Sequence, residues 1–352
     1  MYAYAVTEDD TTVRQVELPD RPPRAGEVTL RVLHVGVCHT DTHLRQGYYD
    51  LGRRGRLRLT DRGIAYPLVM GHEIVGRVEA IGPDVRDVAV GEERLVYPWI
   101  GCGSCHLCAA GLDNHCGSGR TIGVNRHGGY AELVTVPDEK FLIDISGLEP
   151  AWAATLACSG VTAFSAVNKV LPLPADMPVV VIGAGGVGLT VVGVLVARGH
   201  RNVCAVDINA ANLRLASAAG ATTTLVVDGD RAQQDLSEAC GGPVRAVIDV
   251  VNNTQTAELA FNALGKAGKL VQIGLFGGEL TVPTALMALK MITIQGSYVG
   301  TLDELQQLVT IARTSELPRS PVVPGTLDLA GVSGSLTDVA NGGVPGRIVL
   351  SS

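Results

Sequence analysis

At 352 residues, with 46% hydrophobic and 18% charged content, the chain is too long for one ordinary core and too apolar for disorder, which points to two packed domains. A formal charge of −7 excludes a general nucleic-acid binder, because displacing phosphate counterions needs a basic face. Apolar runs are broken well short of about 18 residues, and MYAYAVTEDD has neither the basic nor the apolar region of a leader, so no membrane partner and a cytoplasmic location are expected.

Up to about residue 157, short alternating runs such as VTLRVLHVG (28 to 36) and AELVTVP (131 to 137) are separated by Gly and Pro, predicting a predominantly β, barrel-like region. Within it, Arg53, Arg54, Arg56, Arg58 and Arg62 crowd the stretch from Asp50 to Tyr66. That segment reads as a loop forming solvated surface or a subunit contact, in preference to a cover over a cleft. From about 159 to 300 the pattern changes to VVVI (179 to 182), VCAV (203 to 206), TLVV (224 to 227), AVIDV (246 to 250), KLVQIG (269 to 274) and ITIQG (292 to 296), with helical stretches between. Six such strands predict a parallel, doubly wound α/β sheet. Beyond Gly300, TLDELQQLVTIART reads as a helix and GRIVLSS as a terminal strand.

Eight cysteines in a large chain with a Cys-x2-Cys-x2-Cys cluster read as metal ligands in preference to disulfides. Cys102, Cys105, Cys108 and Cys116 put four thiolates on one loop, enough to close a tetrahedron around Zn2+ with no position left for water. Such a site holds structure. Cys38, His72 and Cys158 offer three ligands, the count that leaves a fourth position open for substrate. Cys204 and Cys240 remain as buried thiols.

In VVVIGAGGVG, Gly183, Gly185 and Gly188 directly follow an apolar strand and open a helix, the context in which a GxGxxG binds a dinucleotide. The turn also carries Gly186 and Val187. Its glycines permit a tight bend and close approach of a pyrophosphate, which the helix N-terminus attracts. Asp207 closes the second strand, where a carboxylate accepts from both ribose hydroxyls and repels a 2′-phosphate, favouring NAD over NADP.

The strings GVCHTDTH (36 to 43) and GHEIVGRVEAIG (71 to 82), with the four-cysteine loop, LACSGVTAFSAV (156 to 167), GAGGVG and GRIVL, resemble the zinc-dependent alcohol dehydrogenases of the medium-chain dehydrogenase/reductase superfamily. YPWIGCGSCHLC and NNTQT look most like the tetrameric NAD-dependent enzymes of prokaryotes. The resemblance covers nearly the whole chain. It implies a GroES-like catalytic domain over 1–158 with a structural-zinc lobe at about 98–120, a Rossmann domain over 159–300, and a return to the catalytic domain over 301–352.

It also implies roles for individual residues. Cys38, His72 and Cys158 match catalytic-zinc ligands, Glu73 an exchangeable carboxylate ligand, and Asp41 the acceptor that orients the ligating imidazole. Thr40 matches the hydroxyl that bonds the substrate oxygen, and His43 the outer end of a proton relay. His39 and Arg347 match side chains that neutralise the pyrophosphate, Thr162 one that packs on the nicotinamide, and Ser297 and Val299 backbone positions facing the carboxamide. Trp99 resembles an aromatic wall of the substrate pocket. Zn2+ is a Lewis acid that favours the alkoxide form of an alcohol at neutral pH, and a Thr hydroxyl with a histidine makes a plausible proton wire.

The expected reaction is reversible NAD-linked oxidation of primary or secondary alcohols to aldehydes or ketones, with two Zn2+ per chain and NAD(H). The alternatives are a polyol dehydrogenase of the same superfamily, which often carries glutamate in place of the third zinc cysteine, and a non-catalytic nicotinamide sensor, whose zinc-free relatives lack the Cys38, His72 and Cys158 set. A homo-oligomer, tetramer or dimer, is expected by analogy, with residues 292 to 300 at a sheet edge.

Overall fold

The computed structural model describes residues 1–8, 11–227, 229, 231–314 and 317–352. All six runs expected between 159 and 300 form strands of one parallel sheet. Their spatial order is Thr223–Val226, Val203–Asp207, Val179–Ile182, Val244–Asp249, Leu264–Gln272, Thr293–Gly296. In sequence terms this is 3-2-1-4-5-6, the dinucleotide-binding order, which leaves a crevice at the carboxyl ends of the first and fourth strands where the winding reverses. Val179, Val180, Val181 and Val247 are fully buried, as continuous apolar strands require when helices cover both faces.

The β-rich part is built around Val28–Gly36, which pairs antiparallel with Glu73–Ile81, with Leu133–Val136 and with the terminal strand Arg347–Ser351. Glu93–Val96 and Leu142–Asp144 extend the sheet on one side and Val322–Thr326 on the other. A second sheet of Arg14–Glu17, Tyr2–Val6 and Leu68–Val69 joins it through the Ala3–Ala131 bridge, consistent with the barrel-like expectation. Leu302–Arg313 is helical, capped by Thr301, whose side chain accepts from the Glu304 amide while Glu304 accepts from the Thr301 amide.

One helical segment, Pro150–Val170, carries the chain from the β-rich part to the parallel sheet. It is long and apolar enough to cross a membrane, but 89% of its most apolar stretch is buried inside the fold, where apolarity follows from core packing. Midway it widens into a π turn over Leu156–Gly160. The arginine-rich stretch is more ordered than its composition suggests. Tyr48–Asp50 pairs with Arg56–Arg58 as a hairpin, with the Arg56 guanidinium 4.0 Å from the centre of the Tyr48 ring.

Candidate active site

Three separate elements deliver the expected catalytic-zinc ligands. Cys38 caps the helix His39–Gln46, His72 precedes the strand Glu73–Ile81, and Cys158 sits in the π turn. Their ligand atoms lie within 4.8 Å of one another, all three residues are buried, and the two sulfurs are 3.9 Å apart. For tetrahedral zinc with Zn–S of about 2.3 Å, two sulfurs sit about 3.8 Å apart, so the pair is already at metal-binding separation. The hydrogen bond from Cys158 holds the Cys38 thiol well below its ordinary pKa, and Cys158 is correspondingly pushed up.

The surroundings are organised for this. Asp41 is fully buried, and its carboxylate accepts from the Cys38 amide at 2.9 Å, the Gly71 amide at 3.2 Å and the Tyr130 hydroxyl at 3.1 Å. Its Oδ1 also lies 3.2 Å from Nδ1 of His72, an ion-pair contact without hydrogen-bond alignment. Against the desolvation of its site, Asp41 is the main influence raising the His72 pKa. Gly71 holds φ at 86°, and a Cβ there would meet the Tyr130 ring at 2.7 Å, so the bend that presents His72 requires glycine. The π turn frees the Ser159 amide, which donates to Glu73 Oε1 at 3.1 Å. Trp99 donates its indole N–H to the Ala157 carbonyl at 2.9 Å.

Glu73 is fully buried, and its Oε1 lies 2.5 Å from Nη2 of Arg347. Burial pushes the Glu73 carboxyl above the usual range while Arg347 pulls against it, and the Arg347 pKa is raised in turn, with Glu73 its chief support against burial. Arg347 Nε has no partner among the described residues. Its side chain packs on Gly186, where an added Cβ would overlap Arg347 Cδ. A buried cation with an unused donor beside the glycine turn suits an anionic cofactor.

In that turn Gly183 holds φ at 93°, with Val250 and Val251 side chains 2.7 Å from where a Cβ would stand, and a Cβ on Gly188 would overlap the Gly183 carbonyl. Gly185 caps the helix Gly186–Ala197 and has open space on its Cβ side, while Val187 lies in the first turn. Asp207 accepts from the Ala184 amide at 2.7 Å and the Asn209 amide at 2.8 Å, which fixes its carboxylate at the strand end. Val299, a β-branched residue, sits at φ 47°, a strained conformation worth on the order of 1 to 3 kcal/mol that concentrates at functional sites. Thr162 and Ser297 are buried, and the Ser297 hydroxyl has no partner among the described residues.

His39 stacks on Phe276 with ring centres 4.4 Å apart, and His43 meets Tyr49 at 5.0 Å. His43 does not titrate near neutrality. Burial first, and then His39, push its pKa down to about 4, and its Nε2 has no partner among the described residues. Thr40 and His43 share the helix His39–Gln46.

The four-cysteine loop gathers as its spacing demands. Sulfur separations are 3.5 Å for Cys105 to Cys108, 3.8 Å for Cys105 to Cys116 and 4.0 Å for Cys102 to Cys108, close to the same edge of about 3.8 Å. The Cys102 amide donates to Cys116 Sγ at 3.3 Å, and Ser104 holds the Cys102 thiol down at about 6. The donor sets at both centres therefore fit zinc.

Residues 24–147 match the family described as alcohol dehydrogenase GroES-like domain, and residues 186–314 match zinc-binding dehydrogenase. An NAD-dependent alcohol dehydrogenase of Sulfurisphaera tokodaii is 32% identical over 352 residues, covering 99% of each chain. This chain belongs to the zinc-dependent alcohol dehydrogenases of the medium-chain dehydrogenase/reductase superfamily. The alcohol dehydrogenase of the archaeon Aeropyrum pernix superposes with a TM-score of 0.90 at 29% identity over 100% of both chains. An acetophenone reductase from Geotrichum candidum, solved with NAD, superposes at 0.86 with 26% identity, covering 100% of this chain and 97% of the other.

Trp99, expected as a wall of the substrate pocket, is 2% exposed and lies outside the cavity lined by Tyr49 and Tyr298, as do Cys38, His72 and Cys158. It forms a buried wedge edge-on to His72 at 5.3 Å and to Tyr298 at 5.6 Å, with its indole N–H committed to the π turn. The cavity wall belongs to residues the sequence reading passed over, among them Tyr49 and Tyr298. The aromatic content of GYYDLG was a signal, but nothing local tied it to His43.

Proposed function

We propose that this protein is an NAD-linked zinc alcohol dehydrogenase that reversibly oxidises primary or secondary alcohols to aldehydes or ketones. The observation that carries the reading is the convergence of Cys38, His72 and Cys158 from three elements, with sulfurs at zinc-binding separation, beside a glycine turn at the switch point of a dinucleotide-binding sheet. When bound, zinc supplies Lewis acidity that favours the deprotonated alcohol, and NAD accepts the hydride.

The chain's own residues do the rest. Cys38, His72 and Cys158 hold the metal, with Asp41 fixing the imbalance of charge and the orientation at His72, and Glu73 in reserve as an exchangeable ligand. The Thr40 hydroxyl binds the substrate oxygen and passes its proton toward Nε2 of His43, which has no partner among the described residues. Gly183, Gly185, Gly186, Val187 and Gly188 bind the pyrophosphate with His39 and Arg347, Asp207 takes the adenosine ribose, and Thr162, Ser297 and Val299 seat the nicotinamide. The second zinc, on Cys102, Cys105, Cys108 and Cys116, clips the lobe at about 98–120. We divide the chain accordingly into 1–158, 159–300 and 301–352, and propose a cytoplasmic homo-oligomer, tetramer or dimer.

The test is metal analysis with an NAD-linked assay across primary, secondary, cyclic and aromatic alcohols. Two zinc ions per chain with NADH formation are expected. A metal-replete protein that binds NADH yet oxidises none of these alcohols would sink the proposal.

A further inference from the structure

A cavity of about 440 Å³ lies between the hairpin and the carboxyl end of the parallel sheet. Three ring contacts link its wall to the expected site residues. His72 meets Trp99, which meets Tyr298, and on the other side His43 meets Tyr49. Tyr49, Tyr298 and Arg62 line the cavity together with Asn252, Gln272 and Leu57.

The backbone of Arg62 is held rigidly. It ends the turn Thr60–Arg62, between Leu59, fully buried, and Ile64, 7% exposed. The amides of Arg62 and Ile64 both donate to the Leu59 carbonyl, at 3.0 and 3.2 Å, and Gly63 closes the turn at φ 78°. The core therefore fixes where this side chain starts.

Its charge is also uncommitted. Among the other charged groups lining the cavity, Glu279 is ion-paired with Arg53, and Asp50 accepts from the Gly52 amide while packing on Gly277. Arg56, on the same hairpin, covers Tyr48. The exposed Arg62 side chain has no hydrogen bond or ion pair among the described residues, although its charge reaches both phenols and opposes the burial that pushes Tyr49 up to about 12. A guanidinium presents paired donors that match a carboxylate, and one facing a cleft with no protein partner is available to a ligand.

We infer that Arg62 selects alcohols and carbonyl compounds that carry an anionic group, such as ω-hydroxycarboxylates, with a chain of several carbons between the carboxylate and the oxidised carbon. The spacer follows from position, since Arg62 lines a cavity that the zinc ligands do not, and its wall residue Tyr298 is linked to His72 through Trp99. The inference rests on the dehydrogenase reading above and narrows its substrate class.

The experiment compares 6-hydroxyhexanoate with hexan-1-ol, which differ only in the anionic end, on zinc-loaded protein. For the parent, kcat/KM should favour the hydroxy acid, and the preference should weaken with added salt, as a partly exposed ion pair requires. Arg62→Leu should lower the ratio of the two kcat/KM values by about tenfold, and Arg62→Lys should keep part of it. A ratio unchanged in Arg62→Leu would overturn the inference while leaving the dehydrogenase reading intact. Calorimetric titration of 6-hydroxyhexanoate into the NADH complex gives a readout independent of turnover. Binding about tenfold weaker in Arg62→Leu supports the anion site even if neither alcohol is oxidised, an outcome that would instead strike the dehydrogenase reading. Equal binding by both proteins refutes the site.

Discussion

Arg347→Met isolates a buried ion pair that ties the candidate metal centre to the glycine turn. In the parent, Nη2 of Arg347 lies 2.5 Å from Glu73 Oε1, with the side chains 8% and 0% exposed. Removing the cation leaves a carboxylate with no compensating charge, because a zinc ion held by two thiolates is electrically neutral as a unit. Breaking a buried pair in this way costs about 3 to 5 kcal/mol. Glu73 escapes by taking up a proton, which from an ordinary pKa of about 4.3 costs about 3.7 kcal/mol at about pH 7, so protonation caps the loss near that figure.

The cap gives the loss a pH signature. In Arg347→Met the folded state keeps Glu73 protonated where the unfolded chain ionises it, so the folded state binds more protons. Stability from that group is then full below the unfolded pKa and falls as pH rises, by about 1.4 kcal/mol per unit. In the parent, burial already lifts Glu73 above the usual range, so the deficit opens above the parent's own pKa and widens toward neutrality. Urea unfolding of zinc-loaded parent, Arg347→Met and Arg347→Met/Glu73→Gln at several pH values measures it. The double variant should recover most of the stability and lose the slope. A deficit that is constant with pH, or one that Glu73→Gln fails to repair, would refute the pairing argument.

Three other outcomes are expected. Calorimetry should find NADH bound at least about 100-fold tighter than NADPH, with Asp207→Ser narrowing the gap, if the carboxylate fixed by the Ala184 and Asn209 amides has the proposed role of meeting a ribose and repelling a phosphate; equal affinities in the parent would remove that role. His43→Gln should slow alcohol oxidation by about 100-fold, most at lower pH where hydroxide is scarce: with its pKa at about 4, His43 stays neutral and able to accept a proton throughout the usual assay range. An unchanged pH profile of kcat would eliminate the relay. Cys105→Ser removes the thiolate that sits 3.5 and 3.8 Å from two partners in the lobe, so zinc content should fall toward one per chain and thermal unfolding should come earlier. The same Tm with that zinc missing would deny the lobe its structural role.

What the sequence disclosed depended on how local each feature is. The four-cysteine loop closes within one short segment, so spacing alone identified it. The inner strands were legible because a strand covered on both faces must be apolar throughout, as Val179–Ile182 is, while the edge strands Thr223–Val226 and Thr293–Gly296 keep exposed positions. Their 3-2-1-4-5-6 order was not written in any one of them, since it arises from the helices packing between. The second candidate metal centre is an intermediate case, for Cys38, His72 and Cys158 come from distant elements and only motif context joined them.

The features that escaped were those where one residue's role is set by a partner far along the chain. Arg347 reads in isolation as a terminal arginine, yet Val349 pairing with Gly36 draws the last strand beside Val28–Gly36, and Glu73 pairs with Gly36 on the other side of that same strand. The pair at the heart of the site is thus a consequence of sheet register. Cys158 shows the same dependence in a helix. Nothing in LACSGVTAFSAV announces a π turn, which is the cooperative result of the Trp99 indole holding the Ala157 carbonyl and Glu73 holding the Ser159 amide. Trp99 shows the same dependence on distant partners: its indole N–H is spent on the backbone that positions Cys158, while its ring stands edge-on to His72 and to Tyr298.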